Sequence, residues 1–273
     1  MTTSINSIDS LTSSISVRGV EAFLFTSAGI ISGALTGFRN KIINGGFTIN
    51  QRAVTGTVTL AAGIYGHDRF KAGAGGCTYT FVSSGNGNVL TITAGTLLQV
   101  IEGANLEGGA MRLSWVGTAQ GRIDTGTYSA SVALGTAVGG TNQTVEFGVG
   151  TVGKVQYELG TVSTTFEQRF IGVELMLSQR YFTKIGGDTG DIYCASYITS
   201  SGILSTPITL PVTMRAVPTA TVFGSWTVVN VTQPSINSVG RSVVTLYAGG
   251  TVVGQGVVQS TGSSTYITFN AEL

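Results

Sequence analysis

NKIINGGFTINQRAVTGTVTLAAGIYGHDRF, Asn40 to Phe70, is the stretch whose reading decides the fold. An apolar pair, Ile42-Ile43, runs into Asn44-Gly45-Gly46, and Phe47 to Arg52 alternates apolar and polar residues before His67-Asp68-Arg69-Phe70. Asn and Gly accept positive φ cheaply, so Asn44-Gly45-Gly46 reads as a tight turn. The whole stretch therefore reads as strand, turn, strand, loop, strand.

The same punctuation continues on both sides. Charged residues make up 10% of the chain, against about 25% in an ordinary globular domain. Forty of 273 residues are glycine and proline is scarce. This is the composition of short strands joined by glycine turns. The chain is too apolar to be disordered throughout. A net charge of +1 gives no electrostatic case for nucleic acid or an anionic membrane surface.

Strand signals recur through the middle. Cys77 to Phe81 and Val89 to Ala94 are strand-like; Met111, Leu113 and Trp115 fall on one face opposite Arg112 and Ser114. Tyr128, Ala130, Val132 and Leu134 alternate with small residues, then Val145, Phe147 and Val149, then Val155, Tyr157 and Leu159 against Lys154, Gln156 and Glu158. A period of two with glycine breaks predicts a two-sheet sandwich. Val173, Met176, Leu177, Arg180 and Tyr181 have helical spacing and predict a short helix acting as a joint. Strands are then expected near Ile192–Ile198, Ile203–Leu210, Thr219–Val231, Arg241–Tyr247, Thr251–Gln259 and Thr265–Leu273.

The first 38 residues differ. Ile5, Ile8, Leu11 and Ile15 are spaced for one face of a short helix, which its serines make weak unless it associates with copies of itself. Ala22 to Phe38 carries no charge. It is nearly long enough to span a bilayer, but its Gly, Ser and Thr favour packing against neighbouring chains, and no membrane span is expected. The N-terminus lacks the basic region of a secretory signal.

Four segments in order carry a resemblance. N-x-I-I-N-G-x-F-x-I-x-Q-R with the later Asp68-Arg69-Phe70, the run KVQYELGTVSTTFEQR from Lys154 to Arg169, ELMLSQRYF from Glu174 to Phe182, and Met214 to Thr219 with Ala271-Glu272-Leu273 resemble the jelly-roll, carbohydrate-binding-like domain and C-terminal module of bacteriophage tail fibre proteins. Glu102 to Thr151 matches that pattern only loosely. The resemblance implies an all-β chain: an N-terminal helical or extended arm over residues 1–38, a jelly-roll β-sandwich over 39–172 and a smaller antiparallel β domain over 173–273. It implies a non-enzymatic virion protein of the tail, made in the bacterial cytoplasm. Such a protein is a homotrimer, held to other tail or baseplate proteins by its arm and contacting a host surface glycan. A capsid or baseplate decoration protein and a glycan depolymerase are the rival readings.

Chemistry-bearing residues are few. The one histidine, His67, offers a triad with Asp68 or Asp124 only if geometry supports it; the simpler reading has Asp68 and Arg69 paired at the domain edge. Zinc needs a cluster that Cys77, Cys194 and His67 do not make, and these cysteines read as buried thiols. Glu102 with Glu107, or Asp188 with Asp191, are candidate carboxylate pairs for glycoside hydrolysis, and Asp188 and Asp191 offer oxygens to calcium; Gly186 to Asp191 reads more simply as an exposed turn. No cofactor or metal is expected. Flat rings stack on the apolar face of a sugar, so Trp226, Tyr247 and Tyr266 are the candidate glycan contacts, with Tyr193 and Tyr197 nearby in sequence. Trp115 reads as core.

Overall fold

The computed structural model describes residues 12–17, 20–26, 29–31, 38–84, 87–199 and 202–273. The protein is all-β, built from antiparallel sheets with one α-helix among the described residues. A three-stranded sheet comes first: β1 (Thr12–Val17), β2 (Val20–Thr26) and β3 (Gly29–Ile31), paired in order. The expected helix through Ile15 is corrected by β1, in which Ile15 pairs with Phe23. Ile5, Ile8 and Leu11 lie outside the described residues.

The first body holds β4 (Val58–Leu60), β5 (Lys71–Ser84), β6 (Gly87–Ile101), β7 (Gly109–Val116), β8 (Gly121–Ile123), β9 (Val132–Ala137), β10 (Gln143–Phe147) and β11 (Gly150–Leu159). β6 is long enough to pair with β5 on one side and with both β10 and β11 on the other. β11 changes partner halfway, from β6 at residues 150–152 to β7 from Gly153 on. Such long-range neighbours fold the sheet over a single core, which runs from Ile42 to Tyr157 and includes Met111, Leu113, Trp115, Val145, Phe147 and Val155.

Three face assignments are corrected, one of them at Leu159, which is exposed at the end of β11 rather than in the core with Val155 and Tyr157. In β9 the core takes Ala133 and Ala137 and leaves Leu134 exposed. Val149 is likewise outside, past the end of β10.

The opening stretch is also corrected. Ile42-Ile43 and Phe47 to Gln51 are not strands; the ladder begins at β4. Side chains replace the ladder there. Gln99 bonds both the N–H and the carbonyl of Ile43, and the Asn44 amide bonds the N–H and carbonyl of Ile49. Asn44, Phe47 and Ala53 take positive φ, which strand pairing forbids. Gly45 is required for another reason. Its carbonyl accepts from the Val155 N–H, so close that a Cβ would collide with the Val155 carbonyl.

α1 (Ile171–Gln179) follows, where helical spacing placed it. The second body contains β12 (Phe182–Gly186), β13 (Thr189–Ile198), β14 (Ile203–Thr209), β15 (Thr219–Phe223), β16 (Thr227–Val229), β17 (Ser235–Val239), β18 (Val243–Gly249), β19 (Gly254–Thr261) and β20 (Tyr266–Asn270). They form three three-stranded sheets, β12-β20-β15, β13-β19-β16 and β14-β18-β17. The nesting is regular. Phe182 faces Asn270, Ser196 faces Gly256 and Thr209 faces Val243, one register kept throughout except at Thr189. The body is thus one long three-stranded ribbon bent twice into three panels. β15 of the first panel lies against β17 of the third, and all three panels share one core, from Ile192 to Ala271. Bends need backbones to meet at the corners. At one corner the Gly250 N–H donates to the Gly202 carbonyl at 2.8 Å, and a Cβ on Gly250 would lie 2.7 Å from that same oxygen.

Candidate functional site

The residues with catalytic potential are absorbed into structure. Asp68 and Arg69 are fully buried between the two bodies. Asp68 accepts from the Gln51 N–H and side-chain amide, each at 2.7 Å, and lies 3.6 Å from Arg52. Burial raises its pKa against the opposing pull of Arg52 and Gln51. Arg69 ion-pairs with Glu272, donates to the Val100 carbonyl and stacks on the Tyr181 ring at 3.6 Å. Arg52 pairs with the other Glu272 oxygen at 3.2 Å and lies on the Phe182 ring at 3.7 Å. The Leu273 carbonyl accepts from Tyr65 at 2.5 Å and Lys71 at 2.6 Å. This charged seam explains the Gln51-Arg52, Asp68-Arg69 and Glu272-Leu273 motifs: they join the bodies.

The closing motif does the same work inside the first body. Gln156 and Glu158 were expected on an outer face, yet both are buried. Residues 160–169 fold back over them: Glu158 accepts from the N–H and hydroxyl of Thr164, and Gln156 accepts from the Glu167 N–H. Glu167 then holds the N–H groups of Phe38 and Asn40.

His67 is buried against Phe47, Phe81 and Tyr79, with Nδ1 3.0 Å from the Tyr79 hydroxyl. Desolvation lowers its pKa to about 4, so it is neutral at pH 7. Among the described residues its Nε2 has no hydrogen-bond partner, and the ring's bond is to Tyr79 and not to a serine or carboxylate. Glu102 and Glu107 are engaged by separate partners, Arg180 and Tyr181 for the first and Lys41 for the second. Burial pushes the Glu102 pKa up, but bonds from Tyr181 and Arg180 and the charges of Arg180 and Arg215 outweigh it, and the net shift is down. Glu107 pairs with Lys41 at 2.7 Å. Asp188 and Asp191 close a turn on themselves, the Asp188 N–H donating to the Asp191 carboxylate at 3.0 Å. Among the described residues no group of three or more His, Cys, Asp and Glu side chains gathers as a metal site. Cys77 and Cys194 are free thiols, each buried in a different core. No helix among the described residues is long and apolar enough to cross a membrane.

The three aromatic candidates do not come together. Trp226 is corrected to core: it is 4% exposed and its indole N–H donates to the Phe223 carbonyl at 3.0 Å. Tyr266 lies on the outside of the first panel. β15 and β12 flank its strand, and from them Phe223 stacks on it at 4.8 Å and Lys184 sits 4.2 Å over the ring. Its faces are therefore taken. Tyr247 lies on the outside of the third panel, half-buried between Ser205 and Ser235.

The second panel offers more. Tyr193 and Tyr197, 57% and 72% exposed, lie on the outer face of β13, because Ile192, Cys194 and Ile198 fill the core. Gln259 stands opposite Tyr193, Val257 opposite Ala195 and Gln255 opposite Tyr197. β16 extends the face with Thr227 and Val229. None of these side chains is charged. Two rings four residues apart on a strand stand ~13 Å apart, each with an amide that both donates and accepts on the neighbouring strand beside it. Sequence reasoning noted these tyrosines but not their side; the alternation with Ile192, Cys194 and Ile198 carried it.

Two grooves flank Asn40 and Arg169, of about 350 and 280 Å³. Phe38, Ile43, Leu106 and Leu177 line the larger, with the Lys41–Glu107 pair at its side.

Comparison with known protein families, curated proteins and solved structures finds no match for this chain.

Proposed function

We propose that the protein is a structural, non-catalytic component of a bacteriophage tail. In this reading three copies attach to other tail or baseplate proteins through residues 1–38, and the second body contacts a host surface glycan. The outer face of β13-β19-β16 carries the reading. It pairs two exposed tyrosine rings with glutamine amides, with the exposed Asp191 carboxylate two residues before Tyr193 at its edge, the chemistry that a neutral or weakly charged sugar chain requires. Single protein–sugar contacts are weak because each hydrogen bond replaces one to water. Repetition over several copies raises the effective concentration and compensates, so a shallow ledge suffices. The ordered tail-fibre-like motifs of the sequence support the virion assignment, and they coincide with the seam and the fold-back that hold the bodies together.

The test is binding to a broad array of bacterial surface glycans. The wild-type protein is expected to retain at least one glycan class, and Tyr193→Ala with Tyr197→Ala to lower that affinity about thirtyfold, at about 1 kcal/mol per ring. Retention of full affinity by the folded double variant, or binding of no glycan by the wild type, would overturn the reading.

A further inference from the structure

The tyrosine face of the second panel has relief as well as chemistry. Side chains of paired residues in an antiparallel sheet project to the same side, so the face is laid out in rows across β13, β19 and β16. Tyr193, Gln259 and Thr227 make one row, and Tyr197 with Gln255 makes another. The row between them is Ala195, Val257 and Val229. Every side chain in this middle row is aliphatic, and the row crosses three strands, about 10 Å. Ala195 is exposed and ends at its Cβ, so the ground between the two rings lies low. Val229 is 46% exposed and Val257 half-buried. The three rows form a shallow trough, with rings and amides as its banks and methyl groups as its floor.

Banks and a floor of this kind discriminate between sugars. The amides and tyrosine hydroxyls can answer the hydroxyls of a sugar at the banks. The floor offers no side-chain donor or acceptor, so a hydroxyl pressed onto it gives up its bonds to water without replacement. A methyl group in the same place gains by leaving water. Charge adds a second filter. Asp191, exposed on the same strand two residues before Tyr193, repels a carboxylate or phosphate and leaves a neutral sugar unaffected. We propose that this trough selects uncharged sugars bearing a methyl group, such as a 6-deoxyhexose or an N-acetylated hexosamine, with the methyl seated on Val257 and Val229. The inference rests on the glycan reading of this face and adds which sugars the face takes.

The test uses the full chain on an array of matched pairs: 6-deoxyhexosides against their parent hexosides, N-acetylglucosamine against glucose, and uronate-bearing chains as the acidic arm. The wild type is expected to bind the methyl-bearing member of a pair about tenfold more tightly and the acidic chains least. A preference confined to the 6-deoxy or to the N-acetyl pairs supports the inference and identifies the source of the methyl. Val257→Thr with Val229→Thr keeps the branched shape that suits a strand and puts hydroxyls into the floor; the ratio within a pair should then fall to about twofold or less. Saturation-transfer NMR on the wild type checks the same point without a variant: the sugar's methyl protons should receive the strongest transfer. Equal binding of both members by the wild type, a preference unchanged in the threonine variant, or strongest transfer to protons remote from the methyl would overturn the inference and leave the glycan reading intact. Binding of no glycan would overturn both.

Discussion

His67 has the most direct pH signature of any residue in the protein. Its side chain is enclosed by Phe47, Phe81 and Tyr79, and desolvation holds its pKa near 4 against 6.5 in an unfolded chain. The unfolded state therefore binds the extra proton first. Stability from this group is complete above pH 6.5 and is lost as pH falls through 4, by about 3 kcal/mol in all. The raised Asp68 pKa acts in the opposite direction, so the comparison must isolate the histidine. His67→Phe keeps an aromatic ring in the slot. Denaturant titrations of both proteins are expected to show the wild type losing about 3 kcal/mol relative to the variant between pH 6.5 and 4. Parallel curves would contradict a buried neutral imidazole.

At the scale of elements, the corners of the second body are the most sensitive points. Gly250→Ala places a methyl against the Gly202 carbonyl and Ile198. Overpacking of this kind costs about 1–3 kcal/mol, and urea unfolding is expected to show it, whereas Gly75→Ala, which meets nothing, should be nearly neutral. Elements whose apolar residues alternate cleanly were legible in the sequence: β7 with Met111, Leu113 and Trp115, and β20 with Ile267 and Phe269. The helix was legible in place but not in orientation, because Glu174 answers to Asn44, 130 residues away. Phe47 to Gln51 alternates like a strand yet is held by Asn44, a bond that no local pattern reveals. β12 and β17 were missed because Phe182–Gly186 and Ser235–Val239 are too short and too polar to alternate visibly. For the candidate site, the tyrosines were visible but their faces were not. Trp226 looked like a platform and is core, because its indole N–H finds a carbonyl inside.

Across the whole molecule, two separate hydrophobic cores are joined by a seam of charge. Arg52 and Arg69 converge on Glu272, Gln51 bridges Asp68 to the Phe182 carbonyl, and Glu102 holds Arg180 and Tyr181. Glu272→Ala leaves Arg69 buried without a counter-charge, a loss of about 3–5 kcal/mol. Because the loss falls on the seam and not on either core, calorimetry is expected to show one transition in the wild type separating into two in the variant. A single transition shifted as a whole would mean that the bodies are coupled mainly through other contacts. The three panels of the second body turn their outer faces in different directions, so a glycan laid on one does not meet the tyrosines of the others. The most direct measurement is therefore a side-by-side affinity comparison on one retained glycan, with melting temperatures recorded for both variants. The account predicts that Tyr193→Ala with Tyr197→Ala weakens binding about thirtyfold while Tyr247→Ala with Tyr266→Ala leaves it unchanged; the reverse pattern would contradict it.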